Sequence, residues 1–412
     1  MVEQHNIGRD FLYYLITALL MAVIMAFAVF LLYRQGLLRG AMPMVLSIVF
    51  LFGAFAIRFV LIDHITADYY HFLRPWVQHF RDNGGFWGLA IPVGNYNVPY
   101  LYFLALFSYF PFPDLYLIKL LSIFFDVLLA YYIMRIVGLV TQNARRQLFA
   151  FFTVLFLPTV VLNGAYWGQC DVIYGTFSVM GVYYALKSRP VLSLASAALA
   201  VAFKLQAVFL FPLYLLFLYA RKIRLRHVPV FPLTYLLAIL PAVLLGRPFL
   251  DTLLLYFNIA SPEGRGLNYN SPSIFSFVHW THVDPFLTRL GIVIAALFVL
   301  LVWFLVMGKK QRDISQGHFL VLALLFAVGV PLLLPQMHDR YFFLADVMAV
   351  CLAFVRLRYL PAIFLTQFAS LLGYHAYLEG RFFLPMHYGA IALLLLTAVL
   401  LCDVIRQPKW LR

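Results

Sequence analysis

Charged side chains are scarce in this chain. Only 11% of its 412 residues are Asp, Glu, Lys or Arg, whereas 64% are hydrophobic, and the mean hydropathy is +0.92. This composition is typical of a membrane protein, and the long runs rich in Leu, Phe and Ala differ from the short alternating segments of an outer-membrane barrel. We therefore expect an all-α polytopic membrane protein in which residues 1–412 form a single integral membrane domain.

Cysteines and familiar cofactor motifs are also few. The three cysteines, Cys170, Cys351 and Cys402, are too far apart in sequence for a metal-binding box. The last two lie in apolar runs, so no disulfide framework is predicted. The sequence contains no Walker, Rossmann or zinc-protease motif, and no cofactor is therefore indicated.

Acidic residues are the minority among the charges. The chain has 30 Lys and Arg against 16 Asp and Glu, which gives a formal charge of +14. Most basic residues fall in short connections, which indicates membrane orientation rather than binding of nucleic acid. Placing these connections in the cytoplasm requires about thirteen crossings, an external N-terminus and an internal C-terminus. The predicted spans are 11–33, 44–62, 116–138, 148–164, 172–186, 190–203, 206–220, 228–246, 285–307, 317–334, 341–355, 359–376 and 386–405.

This topology places the polar clusters on one side of the membrane. The two long external segments, 63–115 and 247–284, carry carboxylates, histidines, asparagines, tryptophans and prolines, whereas the cytoplasmic connections are short and basic. A functional site is expected where loops rich in polar and aromatic residues lie on one face of a helical bundle. The predicted site therefore faces the exterior, which for a bacterial inner membrane is the periplasm.

Asp68 is the most informative carboxylate in the first external segment. It follows an apolar span and precedes residues whose apolar members recur at helical spacing up to Phe80, with Gly84 ending the pattern. These residues predict an amphipathic helix at the membrane interface, and the apolar stretch up to Phe112 predicts a second juxtamembrane helix. Asp68 could be the N-cap of the first helix, but a carboxylate at the membrane boundary favours a functional role. Asp63 is the competing carboxylate and reads as an interfacial charge that ends a helix.

Four further clusters lie in the external segments, and each has a simpler structural interpretation. Trp167-Gly168-Gln169-Cys170-Asp171 is a turn that can direct an amide and a carboxylate into a cavity, or an ordinary capped turn. Lys204 is isolated in an apolar run, and snorkelling is the ordinary explanation of such a lysine. A phosphate partner explains this one better, because no cytoplasmic surface is near it in the predicted topology. Arg265 lies between two glycines and could reach an anion or be a solvated charge. The last cluster is Pro335-Gln336-Met337-His338-Asp339-Arg340-Tyr341.

In order along the chain, these residues resemble the motifs of GT-C-fold glycosyltransferases. The resemblance rests on Asp68-Tyr69, Asn95-Tyr96-Asn97-Val98-Pro99-Tyr100, the Trp167–Asp171 turn, Lys204-Leu205-Gln206, Arg265-Gly266-Leu267 and Met337-His338-Asp339-Arg340. The most similar groups are bacterial relatives of the GPI mannosyltransferases and the dolichyl-phosphate-glucose glucosyltransferases of asparagine-linked glycosylation. The likeness covers positions 44 to roughly 345, which suggests a catalytic module over 44–345 and C-terminal helices over 346–412.

The resemblance implies an activity and roles for these residues. It implies inverting transfer of one sugar from a polyprenyl-phosphate donor to a glycan, lipid or lipid-linked acceptor on the external face. By position, Asp68 matches the catalytic base, and Lys204, Arg265 and His338 match residues around the donor phosphate. The remaining expected substrate-binding residues are Arg340, Gln169, Asp171, Tyr69 and Trp167.

Two departures and two alternatives accompany this interpretation. The span 11–33 has no clear counterpart in the family, and the glucosyltransferase pattern has no equivalent of Asp171, which leaves a divalent-metal role open there. A transporter or flippase for a lipid-linked sugar or small anion would also use intramembrane cations and broken helices. Its site would lie near the midplane, whereas these polar groups lie at one face. A structural subunit is disfavoured by the isolated Asp and Lys residues.

Overall fold

The computed structural model describes residues 7–256, 266–278, 284–310 and 312–406. The predicted site residue Arg265 lies outside the described residues. Within those ranges the chain is helical apart from one pair of two-residue strands. The all-α prediction is therefore confirmed for the part of the chain that the structure describes.

Seventeen α-helices are numbered here in chain order over the described ranges. The first nine are α1 Ile7–Arg34, α2 Ala41–Val60, α3 Arg74–Asp82, α4 Val98–Phe107, α5 Asp114–Val140, α6 Ala144–Phe156, α7 Pro158–Val161, α8 Asp171–Leu186 and α9 Pro190–Phe203. The others are α10 Phe211–Tyr219, α11 Val230–Leu244, α12 Phe249–Leu253, α13 Pro285–Met307, α14 Gln316–Leu333, α15 Phe343–Val355, α16 Leu360–Leu378 and α17 His387–Arg406.

Shorter helical turns connect several of these helices. The π-helical turns are Tyr69–Leu73, which leads into α3, and Leu162–Trp167, which follows α7. The 3₁₀ turns are Gly85–Ala90, Leu205–Leu210, Leu225–His227, Ile274–Phe277 and Leu357–Tyr359. Single π turns inside helices often occur at functional positions. Both π turns of the described ranges flank the candidate site described below.

Seven helices of the described ranges are long and apolar enough to cross a membrane. An eighth span results if Ala144–Phe156 and Pro158–Trp167, which meet at a 48° bend, are counted as one. These helices make the chain a polytopic helical membrane protein. Each of the thirteen predicted spans falls on helical residues, but the count of thirteen crossings is not confirmed. A helix such as α9, with 14 residues, is only about 21 Å long, which is shorter than a hydrocarbon core of about 30 Å.

The spans differ in how far they are buried within the protein. Of the α14 span, 89% of the residues are buried, against 28% for α1, α2 and α13. Helix α14 packs against α13, α15 and α17, and a second group of contacts joins α5, α6, α8 and α9. Helix α14 is therefore central, whereas α1, α2 and α13 expose large apolar side chains that suit contact with lipid.

One ion pair lies inside the bundle between α2 and α5. The Nε atom of Arg58 is 2.8 Å from Oδ2 of Asp126, and the two side chains are 1% and 0% exposed. Arg58 also donates to the Ala54 carbonyl of its own helix at 3.0 Å. Charges in an apolar bundle are tolerated when they are paired. This pair therefore accounts for two charged residues, Arg58 and Asp126, that lie deep in the protein.

The segment between α2 and the first π turn is held by a buried lysine of α5. The ammonium of Lys119 donates to the carbonyls of Leu61, Ile62 and His64 at 2.9, 2.9 and 2.7 Å. Carbonyls at a helix C-terminus need such donors. Lys119 therefore fixes the backbone just before Asp68 to the first turns of α5.

The amphipathic helix predicted after Asp68 forms, and Gly84 ends it with a φ of 72°. Its apolar side chains Trp76, Val77 and Phe80 are buried, and the helix packs on α4 and on the turn Gly85–Ala90. The apolar face therefore covers the protein rather than lying free for lipid. Helix α4 has ten residues, which confirms that a short helix forms there.

A two-residue parallel pairing joins two loops that are far apart in sequence. Asn268 pairs with Met337 and Tyr269 with His338, and the Gln336 amide donates to the Leu267 carbonyl at 2.7 Å. The loop that follows α12 is thereby held against the loop that leads from α14 to Arg340.

Candidate functional site

The carboxylate of Asp68 is buried and accepts three side-chain hydrogen bonds. Trp167 donates from Nε1 at 2.9 Å and Gln169 from Nε2 at 2.5 Å, both to Oδ2. The Tyr377 hydroxyl donates to Oδ1. An ionised carboxylate offers about four acceptor positions. The three donors therefore orient the group and leave about one position for a further donor.

The capping interpretation of Asp68 is wrong. Asp68 occupies the N-cap position of the π turn Tyr69–Leu73, yet its side chain makes no capping hydrogen bond. The competing carboxylate, Asp63, accepts from Tyr14 at 2.7 Å and from Tyr116. Asp63 thus ties α1 to α5, while Asp68 faces the cluster.

The turn that supplies Trp167 and Gln169 is fixed on both sides. Gly168 ends the π turn in the left-handed region, with a φ of 79°, which glycine adopts without strain. The Thr66 hydroxyl donates to the Trp167 carbonyl at 2.9 Å, and the Ser122 hydroxyl donates to the Gln169 carbonyl at 2.8 Å. The two donors to Asp68 are therefore placed by the segment before Asp68 and by α5.

Asp171, the first residue of α8, is surrounded by cations and an amide. Its Oδ1 is 2.5 Å from Nζ of Lys204, and its Oδ2 is 3.5 Å from Nε of Arg340. The Asn163 amide also donates to Oδ2 at 2.8 Å. Asp171 therefore does not simply cap its helix. Lys204 has a carboxylate partner, so its burial does not require a phosphate ligand.

Arg340 has donors that the described residues do not use. Its guanidinium lies over the Trp167 ring, 5.1 Å from the centroid, and Nη1 is 3.3 Å from Oδ1 of Asp339. The buried Nε atom makes no hydrogen bond with the part of the chain that the structure describes. A guanidinium with unused donors suits a phosphate or carboxylate ligand.

Burial shifts the titration of several groups around this cation. Burial raises the pKa of Asp339 to about 6, although the adjacent Arg340 counteracts it. Burial also raises the pKa of the Cys170 thiol to about 11, so the thiol stays protonated and is a poor nucleophile. The buried Tyr96 hydroxyl, whose pKa burial raises well above its usual range, donates to Gln169 at 3.0 Å.

Asp68 and Arg340 line the same small cavity, which has a volume of about 90 Å³. The other lining residues are Phe72, Leu73, Trp76, Asn95, Tyr96 and Gln169. The Asp68 carboxylate, which can accept a proton, and the Arg340 guanidinium, which can donate hydrogen bonds, thus face one space. The other lining residues are apolar, aromatic or amides. We call this space the Asp68 cavity.

Two predicted residues lie elsewhere. Tyr69 is buried toward the start of α5, where burial raises its pKa to about 12 and its electrostatic neighbours include Asp114 and Arg74. The His338 ring stacks on Tyr269, with ring centroids 4.6 Å apart and planes at 10°. Neither residue lines the Asp68 cavity. Arg265 lies outside the described residues, so the structure brings together Asp68, Trp167, Gln169, Asp171, Lys204 and Arg340.

The sequence reasoning missed two tyrosines of α16. Tyr377 donates to Asp68 and stacks on Trp167 with centroids 4.7 Å apart. The Tyr374 hydroxyl accepts from Asn163 at 3.1 Å. Nothing in the local sequence distinguishes these tyrosines from ordinary aromatic residues of a span. Both belong to α16, within the segment 346–412, so this helix contributes side chains to the candidate site.

In the described ranges, no three His, Cys, Asp or Glu side chains come together in a way that could hold a metal ion. Asp171, where the sequence left a metal role open, is already paired with Lys204.

No protein-family model matches this chain, and no curated protein is significantly similar to it.

Proposed function

We propose that this protein transfers a single sugar, with inversion, from a polyprenyl-phosphate donor to an acceptor at the external face of the membrane. The observation that carries the proposal is the Asp68 cavity, in which an oriented carboxylate faces the guanidinium of Arg340. A base for the acceptor hydroxyl and a cation for the leaving phosphate are the two groups that such a reaction needs. The motif resemblance to GT-C-fold glycosyltransferases supports the same activity.

In the proposed reaction, Asp68 acts as the general base. Its unused acceptor position takes the proton of the acceptor hydroxyl while the oxygen attacks the anomeric carbon. The bond from the anomeric carbon to the phosphate oxygen breaks, and the polyprenyl phosphate departs with the electron pair. Trp167, Gln169 and Tyr377 hold the carboxylate in one orientation throughout.

Arg340 stabilises the negative charge that develops on the departing phosphate. Its Nε atom and its unused guanidinium donors suit the phosphate oxygens. Lys204 lies on the far side of Asp171 and offers a second cation when the phosphate competes with that carboxylate. Arg265 and His338 remain candidates for the donor phosphate on the strength of the resemblance alone.

The proposal includes an orientation and a bundle of about thirteen crossings, with the site at the periplasmic face of a bacterial inner membrane. Its support is the distribution of basic connections and the position of the cavity among the segments predicted to be external. The short helices α9 and α15 would then cross as parts of broken or tilted spans.

The direct test uses purified protein in lipid nanodiscs with radiolabelled polyprenyl-phosphate hexoses and a mixture of candidate acceptors. We expect transfer by the wild-type protein and a loss of at least ~10²-fold in Asp68→Asn, which keeps the shape but not the basicity of the carboxylate. Asp63→Asn is the matched control, because Asp63 bonds to Tyr14 and Tyr116 instead, and it should retain transfer.

Equal activity in Asp68→Asn and wild type would exclude Asp68 as the base. Movement of a lipid-linked sugar across the vesicle membrane, without glycosyl transfer to an acceptor, would instead favour the transporter or flippase alternative.

A further inference from the structure

A second cavity, distinct from the Asp68 cavity, opens among the loops on the same side of the bundle. It has a volume of about 660 Å³, which is within the usual size range of small-molecule sites. The loop that follows the strand Asn268–Tyr269 forms one wall, and the connection between α16 and α17 forms the other. We call this space the loop cleft.

Among the described residues that line the loop cleft, the imidazole of His387 is the one titratable side chain. The polar members of the lining are Asn268, Asn270, Ser276 and His387, and Phe275 and Phe382 are its aromatic members. None of the described residues that line it is Asp, Glu, Lys or Arg. A phosphate or carboxylate would therefore find no cation here, whereas a prenyl or acyl chain would leave the polar groups unused.

The polar groups of the cleft have hydrogen-bonding capacity to spare. The Asn268 side chain is occupied by the backbone of Ser271, to which it donates at 2.8 Å and from which it accepts at 2.8 Å. The Asn270 amide, by contrast, makes no hydrogen bond with the described residues. An amide that both donates and accepts, set beside aromatic faces, matches a sugar ring, which has hydroxyls on its edge and C–H groups on its faces.

The walls of the loop cleft are connected to those of the Asp68 cavity through a strand pair and α16. Asn268 and Tyr269 pair with Met337 and His338, just before Arg340. Gly373 of α16 lies against both loops, since a Cβ atom there would be 2.8 Å from the Asn270 carbonyl oxygen and 2.8 Å from that of Asp339. One helical turn later, Tyr377 donates to Asp68. Helix α16 and the strand pair therefore lie between a ligand in the cleft and the proposed base, Asp68.

We propose that the loop cleft binds the neutral saccharide part of the acceptor, so that its terminal hydroxyl can reach Asp68. The acceptor role rests on the proposed glycosyl transfer, whereas binding of a neutral saccharide does not. The cleft separates the two substrates by charge: the anionic donor is held beside Arg340, and the uncharged acceptor is held by Asn270 and the aromatic side chains.

Binding can be tested without turnover. In a Cys402→Ser background, which removes the exposed cysteine and leaves the buried Cys170 and Cys351, Ser276→Cys carries an environment-sensitive fluorophore at the cleft. Maltotriose and mannotriose should change its emission saturably, whereas glycerol phosphate and triglycine should not. The same fluorophore on Leu225→Cys, a position 79% exposed in another loop, should not respond.

The variant Asn270→Gly tests whether the side-chain amide of Asn270 binds the saccharide. Asn270 has a φ of 55°, so Asn270→Gly removes the side chain while keeping a backbone conformation that glycine accepts. We expect this variant to weaken saccharide binding on the order of tenfold, as loss of about one hydrogen bond implies. Ser188→Gly, at a φ of 54°, is the matched control and should leave binding unchanged. In the transfer assay, Asn270→Gly should raise the acceptor KM and leave kcat and the donor KM unchanged.

The outcomes separate the two proposals. Saturable binding that Asn270→Gly weakens would support the cleft as a saccharide site even if the protein transferred no sugar, and only the proposed function would then fail. A silent fluorophore, or a response to glycerol phosphate or triglycine alone, would overturn the cleft proposal even in a protein that transfers sugar.

Discussion

Tyr377 donates a hydrogen bond to the carboxylate of Asp68 across a separation of 309 positions in the chain. The same tyrosine ring stacks on Trp167, the neighbouring donor to that carboxylate. The last turn of α16 is therefore part of the candidate site, and the orientation of the proposed base depends on a helix near the end of the described chain.

Replacing this tyrosine tests whether orientation of Asp68 matters. Tyr377→Phe keeps the ring that stacks on Trp167 and removes only the hydroxyl, so folding should be retained. Because a misoriented base lowers the rate of proton transfer, we expect kcat to fall by roughly 10-fold or more with little change in donor KM. Steady-state kinetics in nanodiscs measures both quantities. Tyr388→Phe, on an exposed ring of α17, is the control, and an equal loss in both variants would point to a general packing effect.

The Lys204–Asp171 pair gives a prediction about stability. The two side chains are 7% and 0% exposed, so Lys204→Met leaves a buried carboxylate that Arg340 compensates only at 3.5 Å. Loss of one partner of a buried pair costs roughly 3–5 kcal/mol, whereas removal of both is far less harmful. We therefore expect Lys204→Met to lower the free energy of unfolding and Lys204→Met with Asp171→Asn to recover much of it.

Thermal unfolding in detergent, read as a double-mutant cycle, measures this coupling. Strictly additive effects of the two substitutions would show that the pair does not stabilise the protein. The double variant also tests the proposed role of Lys204 when it is compared with Asp171→Asn alone: weaker donor binding in the double variant would assign the lysine to the phosphate.

The raised pKa of Asp339, which lies beside Arg340, predicts that anion binding depends on pH. Burial raises its pKa to about 6, so the carboxyl becomes neutral as the pH falls through that value and no longer competes for Arg340. An anionic donor should therefore bind more tightly near pH 5.5 than near pH 7.5. The folded state holds this proton more tightly than an ordinary Asp with a pKa of 3.8, so this group adds stability as the pH falls from about 6 toward 4.

Titration with a polyprenyl-phosphate hexose between pH 5.5 and 8 measures the effect, because this phosphodiester keeps one charge over the range, whereas a phosphate monoester has a second pKa of about 6. Asp339→Asn should bind at pH 7.5 as the wild type binds at low pH, with a flatter pH profile. A variant that keeps the full wild-type slope would show that Asp339 is not the group whose titration controls anion binding.

Much of the candidate site followed from the sequence because its polar residues stand out in an apolar chain. Asp68, Gln169, Lys204 and Arg340 each lie at or near the end of an apolar run, and helices that pack side by side bring such ends together. The pairing of Lys204 with Asp171 did not follow, since spacing cannot distinguish a carboxylate partner from a phosphate ligand.

Residues inside helices were harder to assign. Tyr69 is adjacent to Asp68, but successive residues of a helix point about 100° apart, and Tyr69 faces α5 instead of the cavity. Tyr377 looks like any aromatic residue of a span until the fold places it beside Asp68. The number of crossings was also hard to predict from the sequence. Apolar periodicity locates helices such as α9, but it does not show whether a helix this short crosses the bilayer.

The proposed orientation can be tested with single cysteines. In a Cys402→Ser background, Phe383→Cys lies in the connection between α16 and α17, where Phe383 is 73% exposed, and Gln142→Cys lies between α5 and α6. The basic residues that follow Gln142 predict a cytoplasmic position, whereas the connection that follows Tyr377 should be external. A membrane-impermeant maleimide applied to right-side-out vesicles should therefore label Phe383→Cys at once and Gln142→Cys only after permeabilisation. Labelling of Gln142→Cys in intact vesicles would reverse the orientation and place the Asp68 cavity on the cytoplasmic side, where nucleotide-sugar donors are available and a lipid-linked donor would no longer be required.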